Sequence, residues 1–194
     1  MFEPRYFLVV DLEATCDDKN RLPREQMETI EIGAVLVDRD RDYAAIDEYM
    51  SFVRPIRHPR LTEFCTQLTS ITQAQVDSAP LFPVAFEGLL QRAWVGIAEE
   101  AVFCSWGNFD AVQFQRDCRL HGVEYPFGVR HYNLKKLFSE QQGTRRRYGM
   151  AGALRAVGLP LEGTHHRGID DARNIARLLP WCLGLRPFEA PEET

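Results

Sequence analysis

The first informative stretch of the chain is Phe7 to Val10, four β-favouring apolar residues that run directly into Asp11-Leu12-Glu13. A strand over 7–13 turns Asp11 and Glu13, two positions apart, to the same face, with Cα atoms roughly 6.6 Å apart. Similar apolar runs predict strands over 31–38, 46–53 and 101–106. Three- and four-residue spacing of apolar positions predicts helices near 61–68, 83–93, 108–120, 133–140, 150–157 and 168–179. In the 168–179 segment, Asp171, Ala172, Ile175, Ala176, Leu178 and Leu179 form one inward stripe, and Asp170, Arg173, Asn174 and Arg177 share the opposite, polar face. Strands that come early, followed by interleaved helices, imply an α/β fold.

Composition adds boundaries to that picture. With 194 residues and 45% hydrophobic content, the chain has the material for one domain with a substantial core, expected over 1–185. Residues 186–194, with two prolines and three glutamates, read as a short acidic tail. Five cysteines, odd in number and without CxxC spacing, argue against a disulfide framework or a zinc site and place the chain in a reducing, cytoplasmic setting. The apolar run before Asp11 is too short for a signal peptide, so neither export nor a membrane partner is expected. The net charge of −5 is unevenly spread: residues 130–147 carry Arg130, Lys135, Lys136, Arg145, Arg146 and Arg147 against Glu140 alone. That basic stretch is a candidate for following a phosphate backbone, with a solvated face as the alternative.

The chemistry concentrates in three segments. Asp11 and Glu13 on one strand face repel each other unless a cation is present. In SWGNFD, Asp110 lies in the first turn of a helix that follows a strand, with Asn108 as a candidate cap, so its carboxylate emerges where the Asp11/Glu13 pair ends. HHRGIDD holds two pairs with the same five-residue offset, His165 with Asp170 and His166 with Asp171, and helical phase separates them. Asp171 faces inward. Asp170 faces outward, as a helix N-terminal charge with Arg173 and Arg177 as surface partners. His166 falls in the loop before the helix, where Gly168 would permit an unusual turn, and its imidazole is a candidate general base; His165 reads as a surface neighbour. Four carboxylates and one imidazole suit two hard cations, Mg²⁺ or Mn²⁺ in preference to zinc, that activate water against a phosphodiester.

Those motifs, together with ETIEIGAVLVD at 28–38 and LTEFCTQLTSITQAQVD at 61–77, give the chain a resemblance to the DEDDh 3′-to-5′ exonucleases of the RNase H-like superfamily, in the Eri-type, histone-mRNA exonuclease-like branch. The 61–77 run carries no catalytic side chain, so shared metal chemistry does not explain its match. The resemblance implies a three-layer α/β/α fold around a five-stranded mixed sheet with one antiparallel strand. It also implies that Asp11, Glu13, Asp110 and Asp171 ligate two divalent ions, that His166 deprotonates the attacking water, and that nucleoside 5′-monophosphates leave the 3′ ends of single-stranded RNA or DNA. Leu12 departs from the pattern, standing where relatives often carry an aromatic residue. Candidate substrate contacts are Ala14 and Thr15, directly after the acidic pair, and the flat side chains Phe64, Trp106 and Phe109 near the motifs. Two other functions stay open at this point. One is a DNA proofreading-type exonuclease subunit working with a polymerase; the other is a non-catalytic nucleic-acid-binding domain, whose usual mark, loss of an acidic ligand, is missing.

Overall fold

A computed structural model describes residues 3–19 and 21–188. Strand β1 (Tyr6–Ala14) lies at the centre of a five-stranded sheet. It pairs antiparallel with β2 (Thr29–Asp38), which pairs antiparallel with β3 (Ala44–Phe52). On its other side β1 runs parallel to β4 (Ala101–Ser105), and β4 runs parallel to β5 (His131–Asn133). The order is β3-β2-β1-β4-β5, so β2 alone opposes the rest, as expected for the RNase H-like arrangement.

Both faces of the sheet are covered, which explains why β1 is apolar at consecutive positions instead of at alternate ones. Leu8, Val10 and Leu12 point to one layer, built by α3 (Phe82–Ala93) and α4 (Phe109–His121), where Phe82, Phe86, Phe103, Phe114 and Phe127 fill the core. Phe7 and Val9 point to the other layer, which contains α5 (Leu134–Gln141), α6 (Met150–Ala156), α7 (Gly168–Arg177) and α8 (Leu179–Cys182). Two short helices, α1 (Glu63–Thr69) and α2 (Gln73–Asp77), close a smaller cluster around Ile30, Cys65, Ile71 and Val76. Alternation along β1 therefore carries Asp11 and Glu13 onto the face that α7 covers.

Several local expectations change. The three-residue β5 and five-residue α2 are too short for periodicity to reveal, although α2 has a complete capping box between Thr72 and Gln75. Asn108 does not cap α4; its side-chain oxygen accepts a hydrogen bond from the Asn133 amide at 2.8 Å. Asn174, placed on the polar face of α7 by phase, is fully buried, because the segment ahead of α7 folds back over that flank. Its amide donates to Glu162 O and Asp170 O, and its side-chain oxygen accepts from the Glu162 N–H. Within the expected tail, residues 186–188 make contacts with the domain. Gln142 donates to Arg186 O and accepts from the Phe188 N–H, and Phe188 stacks on Phe138; 189–194 lie outside the described residues.

The position of α7 depends on two glycines. A Cβ on Gly33 would stand 2.0 Å from the carbonyl carbon of Gly168, and a Cβ on Gly168 would stand 2.9 Å from Asp11 O. Gly168 is thus required by close backbone approach and not, as its loop position suggested, by an unusual turn; the left-handed residue is His166, with φ 64°. Gly33→Ala should destabilise the protein by about 3 kcal/mol or more, at the upper end for overpacking. Thermal melting reads this as a fall of roughly 6–12 °C for a domain of this size. An unchanged melting temperature would mean that α7 is free to lift from the sheet.

Candidate active site

The site forms where the central strand outlasts its neighbour. The last β1–β4 pair is Val9 with Cys104, and β1 continues for five residues beyond it. There the Leu12 N–H donates to Asp110 Oδ1 at 3.0 Å, so a side chain from the first turn of α4 satisfies a donor that no strand covers. Asp171 comes from the first turn of α7, set down on β1 and β2 by the close approach of the two glycines. Oxygens of Asp11, Glu13 and Asp171 lie within 4.8 Å of one another. Asp110 joins them electrostatically, being among the charges that act on both Asp11 and Glu13.

Burial and mutual repulsion oppose ionisation here. Glu13 is pushed up to about 8, first by burial and then by Asp171, Glu31 and Asp110. Burial, then Asp110 and Glu13, hold Asp11 well above the usual carboxylate range. Asp110 rises to about 6 through burial, against the opposing Leu12 N–H, and Asp171 rises through burial against the N–H of His166. A fifth carboxylate, Glu31, sits opposite Glu13 in the β1–β2 register and is completely buried. Among the described residues it is the one of the five paired with an arginine: Arg167 Nε at 3.0 Å and Nη2 at 3.3 Å, with the Gly168 N–H at 3.2 Å. Sequence reasoning missed this pair, although the Arg beside His166 and the Glu within an apolar strand were visible signals. The other four carboxylates converge with all-oxygen chemistry and, among the described residues, pair with no lysine or arginine, a donor set that fits hard divalent cations.

The two histidines are less separate than their order suggested. The Asp171 carboxylate accepts the backbone N–H of His166 at 3.0 Å, and His165 Nδ1 lies 3.0 Å from the same oxygen. His165 is therefore more than a solvent-side neighbour. The left-handed turn at His166 aims its N–H at Asp171 and leaves the two rings stacked, with centroids 4.0 Å apart. Burial, then the neighbouring His165, lowers the His166 pKa. Donor atoms of His165, His166 and Asp171 also lie within 4.8 Å of one another, a second grouping with room for an ion. Asp170 stands outside both, accepting the Thr164 N–H at 2.9 Å and pairing with Arg173 at 3.0 Å, as helical phase required.

The substrate-facing candidates divide. Phe109 is 38% exposed beside Asp110, and Phe64, half-buried on α1, lines a cavity of about 300 Å³ with Arg21 and Gln67. Ala14 and Thr15 are buried; the Thr15 hydroxyl accepts the Glu28 N–H, and Ala14 O accepts the Cys65 thiol. Trp106 packs on Phe138 and donates its indole N–H to Tyr148 O. Ser105, which sequence reasoning did not single out, lies beside Asp110 and shares its hydroxyl with His131 Nε2 at 2.9 Å.

Carboxylates whose pKa values are raised on folding keep protons that the unfolded chain has already lost, so the metal-free protein should lose stability as pH rises toward the folded-state value. Between pH 7 and 8.5, above the ordinary histidine range, the Glu13 shift should remove about 1 kcal/mol. In chelator the melting temperature should fall by ~2–4 °C across that window, and Glu13→Gln should flatten the slope. Mg²⁺ or Mn²⁺ should raise melting most at pH 8.5. A chelated protein that grows more stable across the window would contradict the repulsive cluster.

Comparison with known proteins agrees with the geometry. The family described as Exonuclease (RNase_T) matches residues 8–179. ERI1 exoribonuclease 3 of Homo sapiens is 32% identical over 193 residues, covering 94% of this chain and 55% of its own length. The 3′-5′ exoribonuclease 1 of Rattus norvegicus is 31% identical over 182 residues, covering 89% of this chain and 51% of its own. The chain thus spans about half the length of these curated relatives. Among solved structures, the nuclease domain of 3′hExo, a DEDDh family member bound to rAMP, superposes with a TM-score of 0.84 at 28% identity, over 93% of this chain and 92% of that one. A 3′-exonuclease recognising a histone mRNA stem-loop superposes at 0.83 with 27% identity, over 93% of this chain and 64% of that one. With the sheet order, the converging carboxylates and these matches in agreement, the chain belongs to the DEDDh 3′-to-5′ exonuclease family, in its Eri-type branch.

Proposed function

We propose that this domain is a 3′-to-5′ exoribonuclease that trims single-stranded 3′ ends to nucleoside 5′-monophosphates, with Asp11, Glu13, Asp110 and Asp171 holding two Mg²⁺ or Mn²⁺ ions and His166 as general base. The observation that carries this reading is the contrast inside the site: Glu31 is neutralised by Arg167, whereas four carboxylates from β1, α4 and α7 converge with no lysine or arginine paired to them among the described residues. When bound, two divalent ions would supply Lewis-acid polarisation of the phosphate and of the attacking water. The protein holds the ligands rigidly. Strand spacing orients Asp11 and Glu13, the Leu12 N–H fixes Asp110, and the His166 N–H fixes Asp171. His166, with its pKa lowered, is neutral and able to accept a proton near pH 7.

Of the flat side chains, Phe109 and Phe64 offer stacking surfaces for terminal bases. Ala14 and Thr15, buried directly after the acidic pair, and Trp106, packed on Phe138, present less open surface to a base. RNA is favoured over DNA because the curated relatives are exoribonucleases and the 3′hExo domain was solved with rAMP. A non-catalytic role is disfavoured by the complete ligand set. Five free thiols are consistent with work in a reducing compartment such as the cytoplasm, and none of the described helices is long and apolar enough to cross a membrane.

The test is hydrolysis of matched 5′-labelled RNA and DNA single strands with Mn²⁺, reading polarity and products together. The parent should produce a ladder that shortens from the 3′ end and releases mononucleotides, and excess chelator should stop it; full turnover in chelator would rule out metal dependence. Asp171→Asn should lose nearly all activity and Asp170→Asn little, since Asp170 is spent on Thr164 and Arg173. His166→Ala should lower turnover by about 10²–10⁴-fold. His165→Ala, which removes one partner of Asp171, should cost less than about tenfold. The reverse ranking of the histidines would move the base to His165.

A further inference from the structure

Away from the carboxylates, three arginines converge on one concavity. Arg57, Arg116 and Arg119 line a cavity of about 450 Å³ on the outer side of α4. None of the three makes an ion pair with a carboxylate among the described residues, whereas Arg5, Arg92, Arg167, Arg173 and Arg177 all do. Two acids also line the cavity, and one of them is committed elsewhere. Asp117 accepts from the Thr29 hydroxyl at 2.6 Å and from the Gln113 amide at 3.1 Å, and burial pushes it up to about 6. Glu25 alone is left against three guanidinium groups.

The cavity is built and not an accident of flexible side chains. Arg116 Nη1 donates to Arg24 O at 2.9 Å. The segment that presents Arg57 is pinned by buried Glu28, whose carboxylate accepts the N–H groups of Ile56, Arg57 and His58 at 2.7, 2.9 and 2.8 Å. Helical phase then links the cavity to the active site. Phe109, Val112, Arg116 and Arg119 follow one another at three- and four-residue steps on a single flank of α4. Phe109 and Val112 are each 38% exposed, and Phe109 adjoins the catalytic Asp110. From Phe109 to Arg119 the helix rises about 15 Å, a span on the order of two to four nucleotides of extended strand. The flank begins apolar and aromatic at the site and ends in guanidinium groups, whose planar forks suit phosphate oxygens. By contrast, two cations of the basic 130–147 stretch are engaged within the chain, Lys136 with Glu140 and Arg146 over the Tyr148 ring.

We infer that this flank of α4 is a track for the substrate strand, and that Arg57, Arg116 and Arg119 bind its phosphate backbone a few nucleotides upstream of the 3′ end. The inference rests on the nuclease reading for its ligand but uses none of the catalytic residues. Its test is a length series with 5′-fluorescein oligouridylates of 3 and 15 nucleotides. The parent should show a lower KM for the 15-mer than for the 3-mer. Arg57→Ala/Arg119→Ala should raise KM for the 15-mer by about tenfold, leaving kcat and the 3-mer KM unchanged. It should also reduce the slope of log affinity against log salt by roughly 1–2, because two fewer guanidinium groups neutralise phosphates and release counterions. Arg119→Gln alone should give a smaller change in the same direction, which guards against misfolding of the double variant. Equal effects on both lengths, or none on either, would overturn the track. If the parent cleaves neither oligomer, the exonuclease reading fails, yet equilibrium binding of the 15-mer to parent and variants still decides whether the cavity holds a strand.

Discussion

Like charges held together in a buried site are the constraint around which this structure is arranged. An isolated carboxylate taken out of water costs several kcal/mol unless it finds a partner or keeps its proton. Four of them meet here, and their raised pKa values are the signature of that cost. Hydrogen bonds from Leu12 and His166 offset part of it and fix direction, but they bring no positive charge. A fold that tolerates such a cluster holds it for something that binds it, and oxygen donors at this separation suit divalent cations best.

The scaffold resists the repulsion by close backbone packing. Strand β1 cannot spread Asp11 and Glu13 because it is paired on both sides along its apolar half. Helix α7 cannot back away because its first residue is seated on Gly33 and Asp11 O, and its N-terminus is tied to β2 by Arg167 and Glu31. The Arg167–Glu31 pair thus works as a clamp beside the proposed metal ligands. It supplies positive charge to Glu31 and leaves the remaining four without an arginine or lysine partner among the described residues. Helix α4 contributes at both ends: its first turn delivers Asp110, and its outer flank delivers the arginine cavity.

Much of this is legible in the chain alone, for identifiable reasons. Apolar runs and helical spacing over long, well-covered elements locate four strands and six helices and separate Asp171 from Asp170, because burial on α7 follows its phase at these two positions. The sheet order comes from resemblance and not from pattern, since nothing local in β2 announces that it runs opposite to its neighbours. What escapes is tertiary in origin. Asn174 lies on a flank that only a folded-back loop covers, and Asn108 gives its side chain to Asn133 instead of capping. The reason for Gly168 lies in a strand 135 residues earlier in the chain. His165 lies against Asp171 next to a left-handed His166, a backbone conformation uncommon outside glycine that no sequence spacing announces. The arginine cavity joins residues 57, 116 and 119, which no window along the sequence brings together.

The central claim is that the Asp11, Glu13, Asp110 and Asp171 carboxylates, and not the histidine pair, form the metal centre. Anomalous scattering from Mn²⁺-soaked crystals grown with a nucleoside 5′-monophosphate tests it most directly. The account predicts two peaks about 3.5–4 Å apart, bounded by the four carboxylates and lost in Asp11→Asn crystals. A single peak held by His165, His166 and Asp171, or no peak at all, would contradict it.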